Sequence, residues 1–322
     1  MTTISTAPGV DVTAAVRAAV RAPSALNTQP WRFRHTGGVL EVRADPQRTL
    51  LVADRTGWGT RIACGAAVFN LRLAYAVQGT PAEVKLRPDP TDPHLMARLW
   101  AGSTRLATPA ERQLFAAVDR RHSNRTPFHP APVPADIRAR LMEAARAEGA
   151  WLELLIGAGG VAAVAELAWA ASRVLHRDPD YRAEMASWVR DESAPDGVPA
   201  PAASSRPEPY DVLPQRPCVD RPRSPGRDFE DEPLVAVLGV TGNTAGDQLT
   251  AGQALQRVLL TATDAGLAAS LISQPIEVPA AREQLRRALG RSGTPQMVLR
   301  LGYGQPGRPS PRRPVADVLD LC

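Results

Sequence analysis

A run of nine residues near the N-terminus carries side chains suited to recognising a polar ring. Residues 23–31 read Pro-Ser-Ala-Leu-Asn-Thr-Gln-Pro-Trp, so hydroxyl and amide groups lie between two prolines. Because proline stops a helix and pushes the preceding residue into an extended conformation, the run is predicted to be a rigid turn that exposes side-chain and backbone donors. Such groups suit the edge of a flat ring better than a metal or a phosphate. The alternative is a connector whose Asn and Ser bond only to their own backbone.

A second run, in the middle of the chain, suits an anion. Residues 120–128 read Arg-Arg-His-Ser-Asn-Arg-Thr-Pro-Phe and place three arginines close to a serine. A dianionic phosphate binds well to guanidinium groups, which donate two parallel hydrogen bonds. The alternative is a solvated basic turn. His122 alternates with Arg121 and Ser123, so it is expected to face away and to be structural rather than a proton donor.

The two runs lie in a chain that repeats its own order of elements. Three sets of segments correspond in the same order. A helix and strand at residues 12–22 and 31–34 correspond to a helix and strand at 135–147 and 151–156. The helix at 65–79 then corresponds to that at 252–266, and the strand at 95–102 corresponds to that at 296–302. The expected fold is therefore α+β with two homologous halves, at residues 1–109 and 110–322. A helix at residues 109–120, with Thr108 as its N-cap, leads into the basic run.

Two segments interrupt the second half. Residues 161–190 are alanine-rich and predicted to be helical, with a break at Asp178-Pro179, and residues 191–233 are rich in Pro, Ser, Arg and Gly with almost no periodicity. A loop of this length inside a compact domain is either disordered or functional, so a lid is preferred to a linker. The segment is expected to be too polar to join a core. The apolar groups expected to cover a ligand are Tyr210, Leu213 and Phe229.

Composition excludes several other functions. Of the 322 residues, 44% are hydrophobic and 22% are charged, with a net charge of +5. No apolar run approaches the roughly 18 residues of a membrane span. Lys85 is the only lysine, and the arginines are interspersed with acidic residues, so nucleic-acid binding is not expected. The unrelated spacing of Cys64, Cys218 and Cys322 predicts neither a disulfide framework nor a metal site and favours a cytoplasmic location.

Together the two runs resemble the signature segments of the nitroreductase family, which are FMN-dependent oxidoreductases with an α+β fold. Residues 23–31 resemble the family's flavin-contacting loop. The Arg-x-Ser-x-Arg pattern at residues 121–125 resembles the segment whose first Arg and Ser contact the FMN phosphate and whose last basic residue lies near the pyrimidine edge. A cation at that edge stabilises the anionic reduced flavin.

Two further segments resemble parts of the family's flavin site. Residues 266–274 resemble the strand and turn that face the flavin near N5, and residues 308 and 312 resemble C-terminal basic residues that reach the phosphate, with Arg313 as the fallback. The resemblance therefore implies an FMN-binding set of Pro23, Ser24, Ala25, Asn27, Gln29, Arg121, Ser123, Arg125, Ser273, Gln274, Arg308 and Arg312.

The resemblance also has a consequence for assembly. In homodimeric nitroreductases each FMN lies between the subunits, with the Arg/Ser segment from one and the Pro-Ser/Asn loop from the other. Here the loop occurs only in the first half and the Arg/Ser segment only in the second. The halves are therefore expected to form an intramolecular pseudo-dimer with one FMN per chain, and the protein is expected to be a monomer. Fused halves with an inserted lid resemble the family's Acg-type branch.

The implied function is NAD(P)H-dependent reduction of a small electron-poor acceptor such as a nitroaromatic or a quinone. The flavin supplies the redox chemistry in such enzymes, and the chain has no paired carboxylates or Ser-His-Asp set, so no catalytic side chain is predicted. Members of the Acg-type branch hold FMN but are not all active nitroreductases. The alternative is a non-catalytic protein that sequesters FMN or senses redox state beneath a closed lid.

Overall fold

The structure is a computed structural model that describes residues 9–204, 207–208, 211–217, 229–230, 232–305, 307 and 309–322. The helices are α1 Val12–Ala19, α2 Trp58–Val77, α3 Pro109–Ala117, α4 Ala135–Arg146, α5 Ala158–Arg177, α6 Pro179–Ser187, α7 Ala245–Asp264, α8 Gln274–Glu277 and α9 Pro279–Ala288. The strands are β1 Trp31–Thr36, β2 Val39–Ala44, β3 Ala82–Leu86, β4 Leu95–Ala101, β5 Trp151–Leu155, β6 Val189–Arg190, β7 Val198–Pro199, β8 Leu234–Val240, β9 Ala268–Ile272, β10 Thr294–Gly302 and β11 Leu319–Leu321. The α+β class is as predicted.

Two sheets share one internal order. The first runs β11-β1-β2-β4-β3, and the second runs β5-β8-β10-β9. Strands β1, β2, β4 and β3 are antiparallel neighbours, and β5, β8, β10 and β9 repeat that arrangement. The first sheet has one more strand, because β11 at the end of the chain pairs in parallel with β1, with Leu319 opposite Phe33. The last residues of the chain therefore complete the sheet of the first half.

The two long helices α2 and α7 pack against each other at a pair of glycines. A Cβ atom added to Gly65 would lie 2.2 Å from the carbonyl oxygen of Leu249, and one added to Gly252 would lie 2.2 Å from that of Ile62. The contact is reciprocal, because each of these carbonyls belongs to the residue three positions before the opposite glycine. Glycine alone has no Cβ, so only glycine permits this approach. The repeated segments at 65–79 and 252–266 thus meet at the centre of the molecule.

Each of these helices also packs into the core of the other half. Trp58 and Ile62 of α2 belong to the apolar cluster around the second sheet, while Leu249 and Leu260 of α7 belong to the cluster around the first. Burial of such side chains stabilises a fold by roughly 1.5–3 kcal/mol each. The cores of the two halves are therefore interlocked through α2 and α7.

Capping explains where several helices differ from their predicted bounds. Helix α2 begins at Trp58 rather than at Ile62, since the carboxylate of Asp54 accepts hydrogen bonds from the backbone N–H groups of Gly59 and Thr60, both at 2.8 Å. Helix α7 begins at Ala245 rather than at residue 252, where Thr244 and Asp247 form a capping box. Helix α3 has its predicted N-cap but ends earlier, at residue 117.

The inserted segment at residues 191–233 does join the core, contrary to expectation. Val198 and Ala203 are buried in a cluster with Leu26 and Tyr181, and Leu213 is buried in the core of the second half. Low average hydrophobicity concealed these separate apolar side chains, each of which reaches a hydrophobic surface formed by distant residues. The predicted break before this segment, between α5 and α6 at Asp178, is confirmed.

Candidate functional site

A cavity lies between the two halves, next to the crossing of α2 and α7. It encloses about 1110 Å³ of empty space, part of it open to solvent. Of the residues predicted to bind a cofactor, those that line it are Pro23, Ser24, Ala25, Asn27, Arg121, Ser123, Arg125, Ser273 and Arg312. The structure thus brings together residues from the start, the middle and the end of the chain.

The loop at residues 23–29 is held in an unusual backbone conformation. Leu26, Asn27 and Gln29 have φ values of 49°, 55° and 52°, which lie in the left-handed region that side-chain-bearing residues rarely adopt. Such residues cost about 1–3 kcal/mol each and persist only where their surroundings fix them. The hydroxyl oxygen of Ser24 accepts a hydrogen bond from the backbone N–H of Gln29 at 2.9 Å, which closes the turn.

Asn27 connects this loop to two other segments. Its Nδ2 donates to the backbone carbonyls of Gly197 and Pro311, each at 3.0 Å. Its Oδ1 accepts a hydrogen bond from Nη1 of Arg312, also at 3.0 Å. Both donor hydrogens of the side-chain amide are therefore used within the protein, and its oxygen accepts one hydrogen bond. Asn27 aligns the loop, the inserted segment and the C-terminal segment around the cavity.

Two arginines, Arg121 buried and Arg312 half-buried, form the cationic end of the cavity. Arg121 is 4% exposed and donates from Nη2 to the carbonyl of Arg21, while Arg312 donates to the carbonyls of Arg21 and Ala22 and to its own segment. The Nε atoms of Arg121 and Arg312 are both buried and have no hydrogen-bond partner among the described residues. Burial and neighbouring positive charges lower the pKa of Arg121 to about 10 and that of Arg312 to about 9. This end of the cavity therefore combines concentrated positive charge with two buried donors that have no partner among the described residues.

His122 responds to the same charges. Burial, followed by the charges of Arg121, Arg312 and Arg21, lowers the pKa of His122 from 6.5 to about 4. Arg21 itself pairs with Asp119 at 2.9 Å. The imidazole lines the cavity instead of facing away, which corrects the expectation from alternation. At neutral pH it is uncharged.

The rest of the basic run lies against the second sheet. Ser123 forms an isolated parallel bridge with Ala269, and the backbone N–H of Asn124 donates to the carbonyl of Ala269 at 2.8 Å. This pairing brings the run beside β9, which leads to Ser273. Arg125 is half-buried, lines the cavity and has no hydrogen bond or ion pair within the part of the chain that the structure describes.

Two of the predicted residues that the structure describes are not part of the cavity lining. Gln29 is buried behind the loop, where its Nε2 donates to the carbonyl of Pro195 and its Oε1 accepts from the backbone N–H of Arg313, both at 2.9 Å. Gln274 is also buried, and its Nε2 donates to the carbonyl of Pro214 at 3.2 Å. Arg308 lies outside the described residues. The glutamines therefore fasten the inserted segment to both halves.

The inserted segment supplies a wall that the sequence did not reveal. Val198, Gln215 and Arg216 line the cavity. Of the groups expected to cover it, Leu213 lies in the core, the ring of Phe229 lies 4.8 Å from the guanidinium of Arg300, and Tyr210 lies outside the described residues. No local pattern marks Gln215 or Arg216, because their positions depend on partners about 55–60 residues further along the chain.

Arg216 is fixed by several contacts at this wall. Its Nη2 donates to the hydroxyl of Ser273 at 2.6 Å and pairs with the carboxylate of Glu277, and its Nη1 donates to the hydroxyl of Tyr181 at 2.6 Å. Glu277 also lines the cavity, together with the apolar side chains of Leu271, Met297, Leu255, Trp58 and Ile62. The described residues contain no cluster of His, Cys, Asp and Glu that could hold a metal ion. Nor does any of their helices have the length and apolar character to span a membrane.

Comparison with known proteins identifies the family of this chain. Residues 118–303 match the sequence profile of the nitroreductase family. The chain belongs to the nitroreductase family. A Mycobacterium tuberculosis (strain ATCC 25618 / H37Rv) protein named "Putative NAD(P)H nitroreductase Rv3131" is 33% identical over 314 residues, covering 94% of this chain and 89% of the relative. "Putative NAD(P)H nitroreductase acg" of the same strain is 29% identical, covering 96% and 95%.

Solved nitroreductases share part of the chain's length at low identity. A nitroreductase with bound FMN from Desulfitobacterium hafniense DCB-2 is 13% identical, covers 64% of this chain and 95% of that one, and has a TM-score of 0.41. The FMN-dependent nitroreductase NfnB from Mycobacterium smegmatis, in complex with NADPH, is 16% identical, covers 64% and 96%, and has a TM-score of 0.37.

Proposed function

We propose that the chain is an FMN-dependent NAD(P)H oxidoreductase that reduces small electron-poor acceptors such as nitroaromatics or quinones. One observation carries the proposal: the Asn27 loop of the first half and the residues 121–125 of the second half line the same cavity. Each segment carries one of the two chemistries that FMN binding needs, ring-edge polar groups and phosphate-binding cations. The relatives named as NAD(P)H nitroreductases support the electron donor and the class of reaction.

The cationic end fits the phosphate of FMN. Arg121 and Arg312 each have a buried, unpartnered Nε, and neither has a carboxylate partner among the described residues. A buried charge without a counter-ion is unfavourable, so a dianionic group at this position relieves a cost that the folded protein already carries. Ser123 and Ser310 line the cavity as well and add hydroxyl donors.

The remaining lining fits a flat ring. When bound, FMN supplies the redox chemistry, taking two electrons from a reduced nicotinamide and passing them to the acceptor. Pro23, Ser24 and Ala25 form a wall at the strained loop, and Arg125 contributes an unpaired positive charge. Leu271 and Met297 provide apolar surface that excludes water. Gln29 and Gln274 act indirectly, by holding the segments that form the walls.

The two halves, at residues 1–109 and 110–322, form an intramolecular pseudo-dimer. The matching strand orders and the reciprocal contact of Gly65 and Gly252 support this reading. Since each signature segment occurs once, the pseudo-dimer has one complete site and binds one FMN per chain. A second subunit is not needed to complete that site, so the protein acts as a monomer.

A second candidate is a protein that holds FMN without turnover. The observation that favours it is the inserted segment at 191–233, which contributes Val198 and Arg216 to the cavity and is tied to both halves through Gly197 and Pro214. We assign this segment as a lid. A lid that stays closed denies nicotinamide access to the flavin, whereas one that opens permits turnover.

Anaerobic stopped-flow spectroscopy separates the two candidates. NADH and NADPH are mixed in turn with the FMN-loaded protein, and the visible absorbance of the flavin is followed. The proposed oxidoreductase loses this absorbance with one of the donors and regains it when a nitroaromatic or a quinone is added. A flavin that stays oxidised with both donors for minutes contradicts the oxidoreductase and supports the second candidate.

A further inference from the structure

Gln215, in the inserted segment, has a donor that the protein does not use. Its side chain is 5% exposed, and its Oε1 accepts a hydrogen bond from the buried hydroxyl of Ser270 at 2.8 Å. That bond fixes the orientation of the amide. Its Nε2 is buried without a hydrogen-bond partner among the described residues, and Gln215 lines the cavity. Buried donors in native proteins are nearly always hydrogen-bonded, so an unpartnered one calls for an explanation, and a bound ligand supplies one.

Glu277, at the end of α8, has a buried acceptor that likewise lacks a hydrogen-bond partner among the described residues. One carboxylate oxygen, Oε1, pairs with Arg216, and the side chain is 5% exposed. The other oxygen, Oε2, is buried and has no hydrogen-bond partner in the described ranges, although Glu277 also lines the cavity. Two residues of the cavity lining therefore each carry a buried polar atom without a partner among the described residues, a donor on Gln215 and an acceptor on Glu277.

The two groups belong to one part of the wall. Gln215 and Arg216 are adjacent in the chain, and they bind Ser270 and Ser273, which lie three positions apart in β9 and the turn after it. Arg216 then reaches Glu277. The same few contacts therefore position the donor of Gln215 and the acceptor of Glu277. We refer to these two groups as the Gln215–Glu277 pair.

We propose that the Gln215–Glu277 pair binds the amide edge of a planar ligand. An amide offers a carbonyl oxygen to the Nε2 donor of Gln215 and an N–H to the carboxylate of Glu277. A carboxylate ligand of the same shape offers two acceptors, so it leaves Glu277 unsatisfied and is repelled by its charge. Sites that hydrogen-bond one group in this way reject the analogue that lacks it.

Two ligands of the proposed function carry such an edge. The flavin ring has a lactam edge, and the nicotinamide of the electron donor has a carboxamide. That the ligand is either the flavin or the nicotinamide rests on the proposed function, whereas the recognition of an amide does not. In either case the inserted segment recognises a ligand in addition to covering the cavity.

The test uses two variants and a matched control. Gln215→Leu removes the donor, and Gln215→Glu keeps the acceptor for Ser270 but replaces the donor with an oxygen. Gln253→Leu is the control, because Gln253 is equally buried (7% exposed) and hydrogen-bonds to Arg72 but does not line the cavity. Thermal unfolding of each protein verifies that it folds.

Binding is measured at equilibrium in three arms. FMN is titrated into flavin-free protein, and the FMN-loaded protein is titrated with NADP⁺ and with its nicotinic-acid analogue, which carries a carboxylate in place of the carboxamide. Saturation-transfer NMR then compares free nicotinamide with nicotinate on the flavin-free protein. None of these readouts requires turnover.

The outcomes separate the sources and can overturn the proposal. Loss of a hydrogen bond predicts a weakening of about fivefold to tenfold in Gln215→Leu, with Gln253→Leu unchanged. If Gln215→Leu binds FMN more weakly, the flavin is the ligand of the pair. If it binds NADP⁺ more weakly but its nicotinic-acid analogue as before, the nicotinamide is the ligand. Unchanged affinities for FMN and both dinucleotides in both variants contradict the proposal. If the wild-type protein binds no FMN, the proposed function is wrong. Amide recognition then stands only if the flavin-free protein prefers nicotinamide to nicotinate and Gln215→Leu abolishes that preference.

Discussion

Arg312 donates a hydrogen bond from Nη1 to Oδ1 of Asn27 at 3.0 Å, joining two residues that are 285 positions apart in the chain. Both line the cavity, one at the cationic end and the other in the strained loop. Asn27 also binds Gly197 of the inserted segment. The position of Arg312, the shape of the strained loop and the attachment of the inserted segment are therefore linked through one side chain.

Replacement of either Arg121 or Arg312 should weaken FMN binding selectively. In Arg121→Ala and in Arg312→Ala, FMN affinity is expected to fall by about 1.5–3 kcal/mol, as for the loss of hydrogen bonds to a charged group. Riboflavin, which lacks the phosphate, should bind almost as before. Titrations monitored by flavin fluorescence measure both affinities. Arg120→Ala is the matched control, since Arg120 is exposed and does not line the cavity. Equal losses for the two flavins would show that these arginines do not bind the phosphate.

Continuous segments of the site could be predicted from the sequence, whereas the parts built by long-range pairing could not. Residues 23–27 and 121–125 are dense in residue types with specific chemistry, so each segment was recognisable within a few positions. Gln215 and Arg216 acquire their positions only through Ser270, Ser273 and Glu277. The segment at 191–233 does line the cavity in part, but its cavity-lining residues are not those expected, and its role as a lid stays a prediction.

The same distinction applies to the fold. Strong helix signals such as Thr108 and the repeated glycines led to correct elements. Strand β11 has only three residues and forms because β1 offers it a free edge, which no local pattern in the last residues announces. Strand β2 was not predicted either, although its residues alternate between buried and partly buried positions as expected of a strand with one face in the core.

His122 should make the flavin-free protein less stable in mild acid. The pKa of this imidazole is 6.5 when unperturbed and about 4 in the folded chain, so the unfolded state binds the proton first as the pH falls through this window. The free energy of unfolding therefore declines between about pH 6.5 and pH 4. Chemical denaturation across that range should show a smaller decline in His122→Asn. Parallel pH profiles for the variant and the wild type would contradict this account of His122.

The crossing of α2 and α7 should not tolerate a side chain. In Gly65→Ala the new Cβ would lie 2.2 Å from a backbone oxygen, so overpacking should lower the free energy of unfolding by about 3 kcal/mol. Gly246→Ala is the matched control within α7, because its nearest atom would be 3.8 Å away. Urea denaturation should place this control within about 1 kcal/mol of the wild type. Similar values for the two variants would show that the helices have room to separate.

The inserted segment, which we propose to be a lid, should open more readily when its anchor is weakened. Asp196 pairs with Arg48 of the first half and with Arg190, and it does not line the cavity. In Asp196→Asn, reduced flavin is expected to be reoxidised faster by bulky quinones, because the lid limits their entry. Stopped-flow mixing measures these rates, with the exposed Asp191→Asn as the control in the same segment. Reoxidation rates that match the wild type for acceptors of every size would indicate that the segment is a fixed wall.

Native mass spectrometry of the FMN-saturated protein tests the central claim most directly, because it reports flavin content and oligomeric state in one spectrum. The complementary halves predict a single species, one chain with one FMN, that keeps its flavin on dilution. Arg121→Ala should also appear as a single chain, with a smaller fraction of it carrying FMN. Two flavins per chain, or FMN found only on a dimer and released as that dimer dissociates, would contradict a complete site within one chain.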